Sequence, residues 1–304
     1  MKIHNSIRSC LIVALVSAAL PLPAQSKRTM TPEELSRLTL GTPEQQKKAF
    51  PPHKIIGNIY YVGTEIQAAF LVTTPAGHIL INTNFEETVP LLREAVEKLG
   101  FRFADIKIVL GSHAHGDHME GDALVKTLTS ASVMAMEQDV PALERMRPGG
   151  KPHPIDRVLH DGDEVSLGGT TLVAHLTAGH TAGDTTWTLR AEEGGRSYSV
   201  VILGGMGVTQ GQVLANAAGL TPLAQDYIRS FKFLRSIPCD VPLGSHASMF
   251  NMADKYARLG KEPKEPKSAN PFIDREGYIE ELDARERVFN LRLEEQKKAA
   301  GKSL

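Results

Sequence analysis

Cysteine is nearly absent from this chain: there are two in 304 residues, Cys10 and Cys239. Cys10 falls in an apolar leader, so Cys239 stands alone beyond it and an internal disulfide is excluded. The core must then be built by burial alone. Cys239 is expected as a buried thiol and not as a nucleophile, since no Cys-His signature surrounds it. An excess of one charge is lacking too, because 34 basic residues face 35 acidic ones. No basic face recommends nucleic acid as a partner. A Ser-x-x-Lys nucleophile motif is also missing. The apolar run CLIVALVSAAL is short for a membrane span.

What is present is an export signal followed by one large domain. Lys2 and Arg8 precede the apolar run, and PLPAQS offers cleavage near Ala24 or Ser26. Residues 1–24 therefore read as a signal peptide, and 25–304 as a single domain whose first part, 25–50, forms an arm. The expected location is periplasmic or secreted, with no membrane contact after cleavage and a monomeric state. Removing Lys2 and Arg8 from the 34 basic residues leaves 32 against 35 acidic, a net charge of −3. With 41% hydrophobic residues, the chain can bury a core of α/β size.

In the arm, TPEE and TPEQ place Thr31 three residues before Glu34 and Thr42 three before Gln45, the pattern of a capping box opening a helix. From Ile55 strands are expected in KIIGNIYYVG, AAFLVTT and GHILINT, forming a meander. EETVPLLREAVEKLG spaces Val89, Leu92, Val96 and Leu99 for a helix that stops at Gly100, and DIKIVLGS returns to a buried strand. Strands follow around VMAM, EVSLGG, TTLVAHL, TTWTLR and SVVILGG, then a helix near Leu223 to Leu234 and a strand ending at DVPLGSH. KEPKEPK is a charged turn, and REGYIEELDARERVFNLRLEEQKK reads as a closing amphipathic helix whose charges form a solvated face.

Histidine is where chemistry concentrates. Of ten histidines beyond the signal, five lie in loops at strand ends beside Gly, Ser or Asp: His113, His115, His118, His180 and His246. In GSHAHGDHMEG, residues i and i+2 of an extended segment point the same way, so His113 and His115 can reach one ion. Gly116 is expected to bend the chain and return Asp117 and His118 to the same cavity. TAGHTAG and LGSHASM then add His180 and His246. Imidazoles with one carboxylate suit zinc better than calcium or magnesium. Six ligands exceed the needs of one tetrahedral ion and divide into three for each of two Zn2+, each ion keeping a position for water. His53, His78, His153, His160 and His175 fall in no such cluster and are expected to be structural.

SHAHGDH, TAGHTAGDTTW and LGSHASMF, in this order, resemble the metallo-β-lactamase superfamily, and more narrowly the third subclass of zinc β-lactamases. The resemblance runs from about Pro51 to Glu295 and includes GNIYYVGT, GHILINT and DRVLHDGDEVSLGGTTL. It implies a four-layer αββα sandwich. It implies that His113, His115 and His180 hold one zinc, and Asp117, His118 and His246 a second. The implied reaction is attack of a metal-bound hydroxide on the carbonyl of a small-molecule β-lactam, with Asp117 as the catalytic residue that orients the water. Penicillins, cephalosporins and carbapenems are the implied substrates. The superfamily also contains lactonases, so a broad zinc hydrolase with side β-lactamase activity is the alternative, and a non-enzymatic zinc module a more distant one.

The chain departs from the subclass at several positions. VVILGGMG carries Gly204 and Gly205 where many relatives have an acid bridging the metals, which favours the β-lactamase branch. The subclass typically has serine at Gly205 to hold the substrate carboxylate. Its loss implies weaker binding, which Gly205→Ser is expected to restore unless Thr209 already supplies the hydroxyl. Gly205 and Thr209 are thus the expected substrate-binding positions. Ala178 and Ala182 replace usual prolines, implying a looser loop around His180. Asp184 is expected to cap a turn in preference to tuning His180 from behind.

Overall fold

The computed structural model describes residues 26–261 and 270–301. Residues 1–24, expected to be a signal peptide, and all but the first residue of the KEPKEPK turn lie outside them. The arm opens with α1 (Pro32–Leu40) and α2 (Pro43–Gln46). Both capping boxes form: the Thr31 hydroxyl accepts from Glu34 N–H while the Glu34 carboxylate accepts from Thr31 N–H, and Thr42 and Gln45 repeat the exchange.

Four strands make the expected antiparallel meander: β1 (His53–Ile56), β2 (Ile59–Tyr61), β3 (Phe70–Thr74) and β4 (Gly77–Ile81). From β4 the sheet continues in parallel through β5 (Ile106–Leu110), β6 (Ser132–Met136) and β7 (Arg157–Leu159). Parallel neighbours need crossovers, and helices α3 (Val89–Lys98), α4 (Gly116–Met119), α5 (Asp122–Thr129) and α6 (Val140–Leu143) lie in them.

Alternation along the strands sorts their side chains between two cores. Phe70, Val72, Ile79, Ile81, Ile108 and Leu110 face the second sheet. Leu71, Leu80 and Val109 face the opposite way, onto Leu92 and Val96 of α3 and Val125 of α5. A strand buried on both faces has no polar side to show, which is why Ile108, Val109 and Leu110 read as a continuous apolar run, with the exposed Lys107 only at the strand's start.

The second sheet has the order β14-β11-β10-β9-β8. Its members are β8 (Glu164–Leu167), β9 (Thr170–Leu176), β10 (Thr185–Glu193), β11 (Arg196–Leu203) and, after a small hairpin of β12 (Ala215–Asn216) and β13 (Gly219–Leu220), β14 (Val241–Gly244). Trp187 on β10 is buried between the sheets and donates from Nε1 to Gly111 O at 3.0 Å, tying the second sheet to the loop that follows β5. Cys239 is buried and unpaired, and burial pushes its thiol up to about 12. It is a core residue, as expected.

The other outer layer consists of α7 (Pro222–Ser236) and α9 (Arg275–Gly301), with the short α8 (Met252–Arg258) between them in the chain. Ala224, Tyr227 and Phe231 of α7 meet Leu282 and Phe289 of α9 in the main core. Helices, sheet, sheet and helices stack as an αββα sandwich. The closing helix departs from expectation in one respect. Its charges are not all solvated: Glu281 and Arg285 are buried, and Lys27 of the arm reaches Glu281 at 2.9 Å.

Candidate metal centre

The histidine loops all leave the C-terminal ends of strands at one edge of the sandwich. His113, His115 and His118 follow β5, His180 follows β9, and His246 follows β14. A backbone bridge between Gln67 and His246 joins the sheets there, with Ala247 N–H donating to Ile66 O at 2.8 Å.

The loop after β5 is fixed from both sides. Ser112 N–H donates to Asn82 Oδ1 at 2.9 Å, and Thr185 N–H donates to Ser112 O at 2.7 Å. The bend at Gly116 differs from expectation. It is the first residue of α4, outside the left-handed region, and a Cβ there would find only Phe85, 4.0 Å away. A helical turn, not glycine's freedom, brings Asp117 and His118 back.

Six side chains converge. Ligand atoms of His113, His115 and His180 lie within 4.8 Å of one another, and so do those of Asp117, His118 and His246. The triads are adjacent, since the His113 and His118 rings have centroids 4.2 Å apart. None of the remaining described histidines belongs to either cluster. His153 sits against Asp122 and Met119 O, His175 bonds Thr188, and His53 stacks among Tyr61 and Phe272.

The donor set fits a cation. His113 Nε2, both nitrogens of His118 and His246 Nδ1 are buried with no hydrogen-bond partner, which is costly unless something else takes their lone pairs. Burial, joined by mutual repulsion, holds His113 and His246 well below the ordinary imidazole value, and burial takes His180 to about 4. These rings are neutral and ready to ligate. For Asp117 burial acts upward, but the neighbouring His118 outweighs it and holds the carboxyl far below the usual range. Neutral imidazoles with one carboxylate are the set that zinc prefers.

Behind the ligands stand Asp184, expected from the sequence to cap a turn, and Asp139, which the sequence did not single out. His113 Nδ1 lies 3.3 Å from Asp184 Oδ1, which also accepts from Gly205 N–H, while Asp184 Oδ2 accepts from Thr177 at 3.0 Å. Asp184 and the Ser112 hydroxyl, 3.2 Å from the same nitrogen, together flank His113 Nδ1 and leave Nε2 for the site. Asp184 neither caps a turn at the surface nor touches His180, because it is fully buried between the two loops. His180 is instead oriented by Gly207 O, which accepts from Nδ1 at 2.6 Å. Asp139 braces the loops: Oδ2 accepts from Ala114 N–H and the Thr181 hydroxyl, both at 2.8 Å, and Oδ1 from Gly183 N–H at 2.7 Å.

Polar tethers also replace the missing prolines. Gln212 Nε2 donates to Gly179 O and His180 O, and Ser230 donates to Ala178 O, so the loop is not left loose by Ala178 and Ala182.

Gly205 answers differently from what was expected. A Cβ there would lie 2.0 Å from His180 Cδ2 and 2.5 Å from Cγ, so the ring occupies the place a serine would need. Gly205→Ser would displace a ligand before it could recruit a substrate. Gly205 and Thr209 do line the groove above the triads, a cavity of about 350 Å³ shared with His115, Asp117 and residues of α1 and α9.

Two sheets back to back, helices on both outer faces and paired histidine-rich triads at strand ends define a zinc hydrolase of the αββα kind. The chain belongs to the metallo-β-lactamase superfamily, whose family description matches residues 62–246. Among solved structures it is similar to the native FEZ-1 metallo-β-lactamase from Legionella gormanii, with 42% identity, a TM-score of 0.77, and coverage of 83% of this chain and 98% of that one. The subclass B3 enzyme BJP-1 of Bradyrhizobium japonicum gives 31% identity and a TM-score of 0.73, covering 84% and 98%. The class B3 di-zinc enzyme LRA-12 from an Alaskan soil metagenome gives 30% and 0.72, again covering 84% and 98%.

Proposed function

We propose that this protein hydrolyses the amide bond of penicillins, cephalosporins and carbapenems with two zinc ions, one held by His113, His115 and His180 and the other by Asp117, His118 and His246. The observation that carries the reading is the pair of ligand triads on the floor of an open groove, in a chain whose solved relatives are metallo-β-lactamases. Zinc held there supplies Lewis acidity, making water a nucleophile at neutral pH and offsetting negative charge as the ring opens.

The chain's own residues do the rest. Asp117, ionised and partly open to the groove, accepts a hydrogen bond from the attacking water and orients it. Leu35, Leu40, Val208 and Val288 give the groove apolar walls that receive the substrate's apolar parts and exclude bulk water. Thr209 stands on the loop after β11 with its backbone N–H taken by Gln212 Oε1 at 3.0 Å, and its hydroxyl is the first one after Gly205 in that loop.

A lactonase with side β-lactamase activity is the second reading, favoured by the lack of a hydroxyl at Gly205. Rates of the zinc-loaded protein on one penicillin, one cephalosporin, one carbapenem and one acyl lactone decide between them. A lactone rate exceeding every β-lactam rate would reverse the order.

We further propose export to the periplasm or beyond, as a monomer. Ser26 supports cleavage before Gln25, since its side chain caps the turn at Lys27–Thr29 and donates to Glu280 at 2.8 Å. Mass spectrometry of the cellular protein should find Gln25 first. An intact Met1 on active protein would refute export by cleavage.

A further inference from the structure

Arg285 is the one cation with a fixed positive charge among the residues lining the groove; the other charged group is Asp117. Arg285 reaches the groove from α9, and its side chain is 6% exposed. Its Nε donates to Glu281 Oε1 at 2.7 Å, and Nη2 donates to Thr39 Oγ1 at 2.9 Å. Nη1 has no hydrogen-bond partner among the described residues, and it lies 3.9 Å from where a Cβ on Gly207 would stand. Gly207 thus borders this nitrogen in the groove.

The charge is not cancelled locally. Glu281 is shared, for its other oxygen takes Lys27 Nζ at 2.9 Å. Two cations on one carboxylate leave a net positive charge in a poorly hydrated place, where an incoming anion is attracted more strongly than in water. Arg285 lines the groove together with Asp117 and His246 of the second ligand triad and with Gly205 and Gly207, which present no hydroxyl.

We propose that Arg285 binds the ring carboxylate of the substrate through Nη1. This rests on the reading of the groove as a β-lactam site and deepens it: substrates bearing an anionic carboxylate are selected by a guanidinium from α9. Thr39 and Glu281 position that guanidinium, so the arm and the closing helix build the anchor together.

The test compares a penicillin with its free carboxylate against the methyl ester of the same penicillin, on zinc-loaded wild type and Arg285→Gln. The expected result is that the acid-over-ester ratio of kcat/KM falls roughly tenfold to a hundredfold in the variant, through KM and not kcat. A purely structural role would lower both substrates alike and leave the ratio intact. Arg285→Lys keeps a charge on Glu281 for folding, but one ammonium cannot serve Glu281, Thr39 and the groove together, so a smaller fall of the same sign is expected. If wild type hydrolyses the penicillin and neither variant moves the ratio, the anchor is overturned while the function stands. If wild type hydrolyses neither compound, the functional reading falls and takes the anchor with it.

Discussion

Asp184 shows how one buried carboxylate organises a metal site without touching the metal. It lies 3.3 Å from His113 Nδ1, where the Ser112 hydroxyl also bonds at 3.2 Å, and His113 Nε2 is left without a protein partner. Partners of this kind typically contribute ten- to a hundredfold in metal affinity. Asp184→Asn should weaken zinc binding by about that factor with the fold retained, read by competition with a chromophoric chelator; unaltered affinity would remove Asp184 from the site's design. Gly205→Ser should be worse, because its Cβ collides with the His180 ring at 2.0 Å. Its zinc content after dialysis should drop below that of wild type, and a serine variant that binds zinc and substrate better would restore the expectation drawn from the sequence. His153 belongs to stability and not to catalysis. Burial lowers its pKa, but the hydrogen bond and charge of Asp122 outweigh that and the net shift is upward from 6.5. The charged ring therefore stabilises the fold fully below its unfolded pKa, and this contribution is lost as pH rises through the folded value. His153→Gln should lose more stability at about pH 5.5 than at about pH 8.5 in paired urea melts. An equal loss at both would mean that the pair carries no charge.

Among the elements, strands and ligand loops were the more legible part. Gly and Pro punctuation marked the meander, and HAHGDH, TAGHTAG and LGSHASM marked the triads, because both signals are local. Helix α5 went unread: in DALVKTLT two threonines and a valine dilute helical propensity, and tertiary packing of Val125 decides the matter. The bracing groups were illegible for a different reason. Asp139 acts on Ala114 and Gly183, 25 and 44 residues away, and Lys27 acts on Glu281, 254 away. No spacing rule reports such contacts. In α9 the charges at 281 and 285 look like any solvated i,i+4 pair until the arm is laid over them. Lys27→Met should therefore unseat the arm: Glu281 keeps Arg285 as a partner, so the loss is about 1.5–3 kcal/mol, the range for a hydrogen bond to a charged group. Urea denaturation measures it, and a loss below about 0.5 kcal/mol, the level of exposed pairs, would show the network to be surface-like.

At the scale of the molecule, two twisted sheets meet so that strands of both deliver their C-terminal loops to one edge, and a groove forms where they do. Neither sheet alone holds a complete set: His113, His115, Asp117 and His118 come from the first, His180 and His246 from the second. Opening the sandwich must therefore destroy the site, and zinc bound only by the closed form must stabilise it by mass action. Thermal melts should show Tm rising with zinc concentration and falling with chelator. Hydrolysis of β-lactams by two zinc ions on these triads can be tested in one titration. Demetallated protein is titrated with zinc while bound metal and hydrolysis of a single carbapenem are followed together. No turnover is expected without metal, and the rate should saturate at two zinc ions per chain. Turnover that persists after complete demetallation, or its absence at full occupancy, would rule out the two-zinc mechanism.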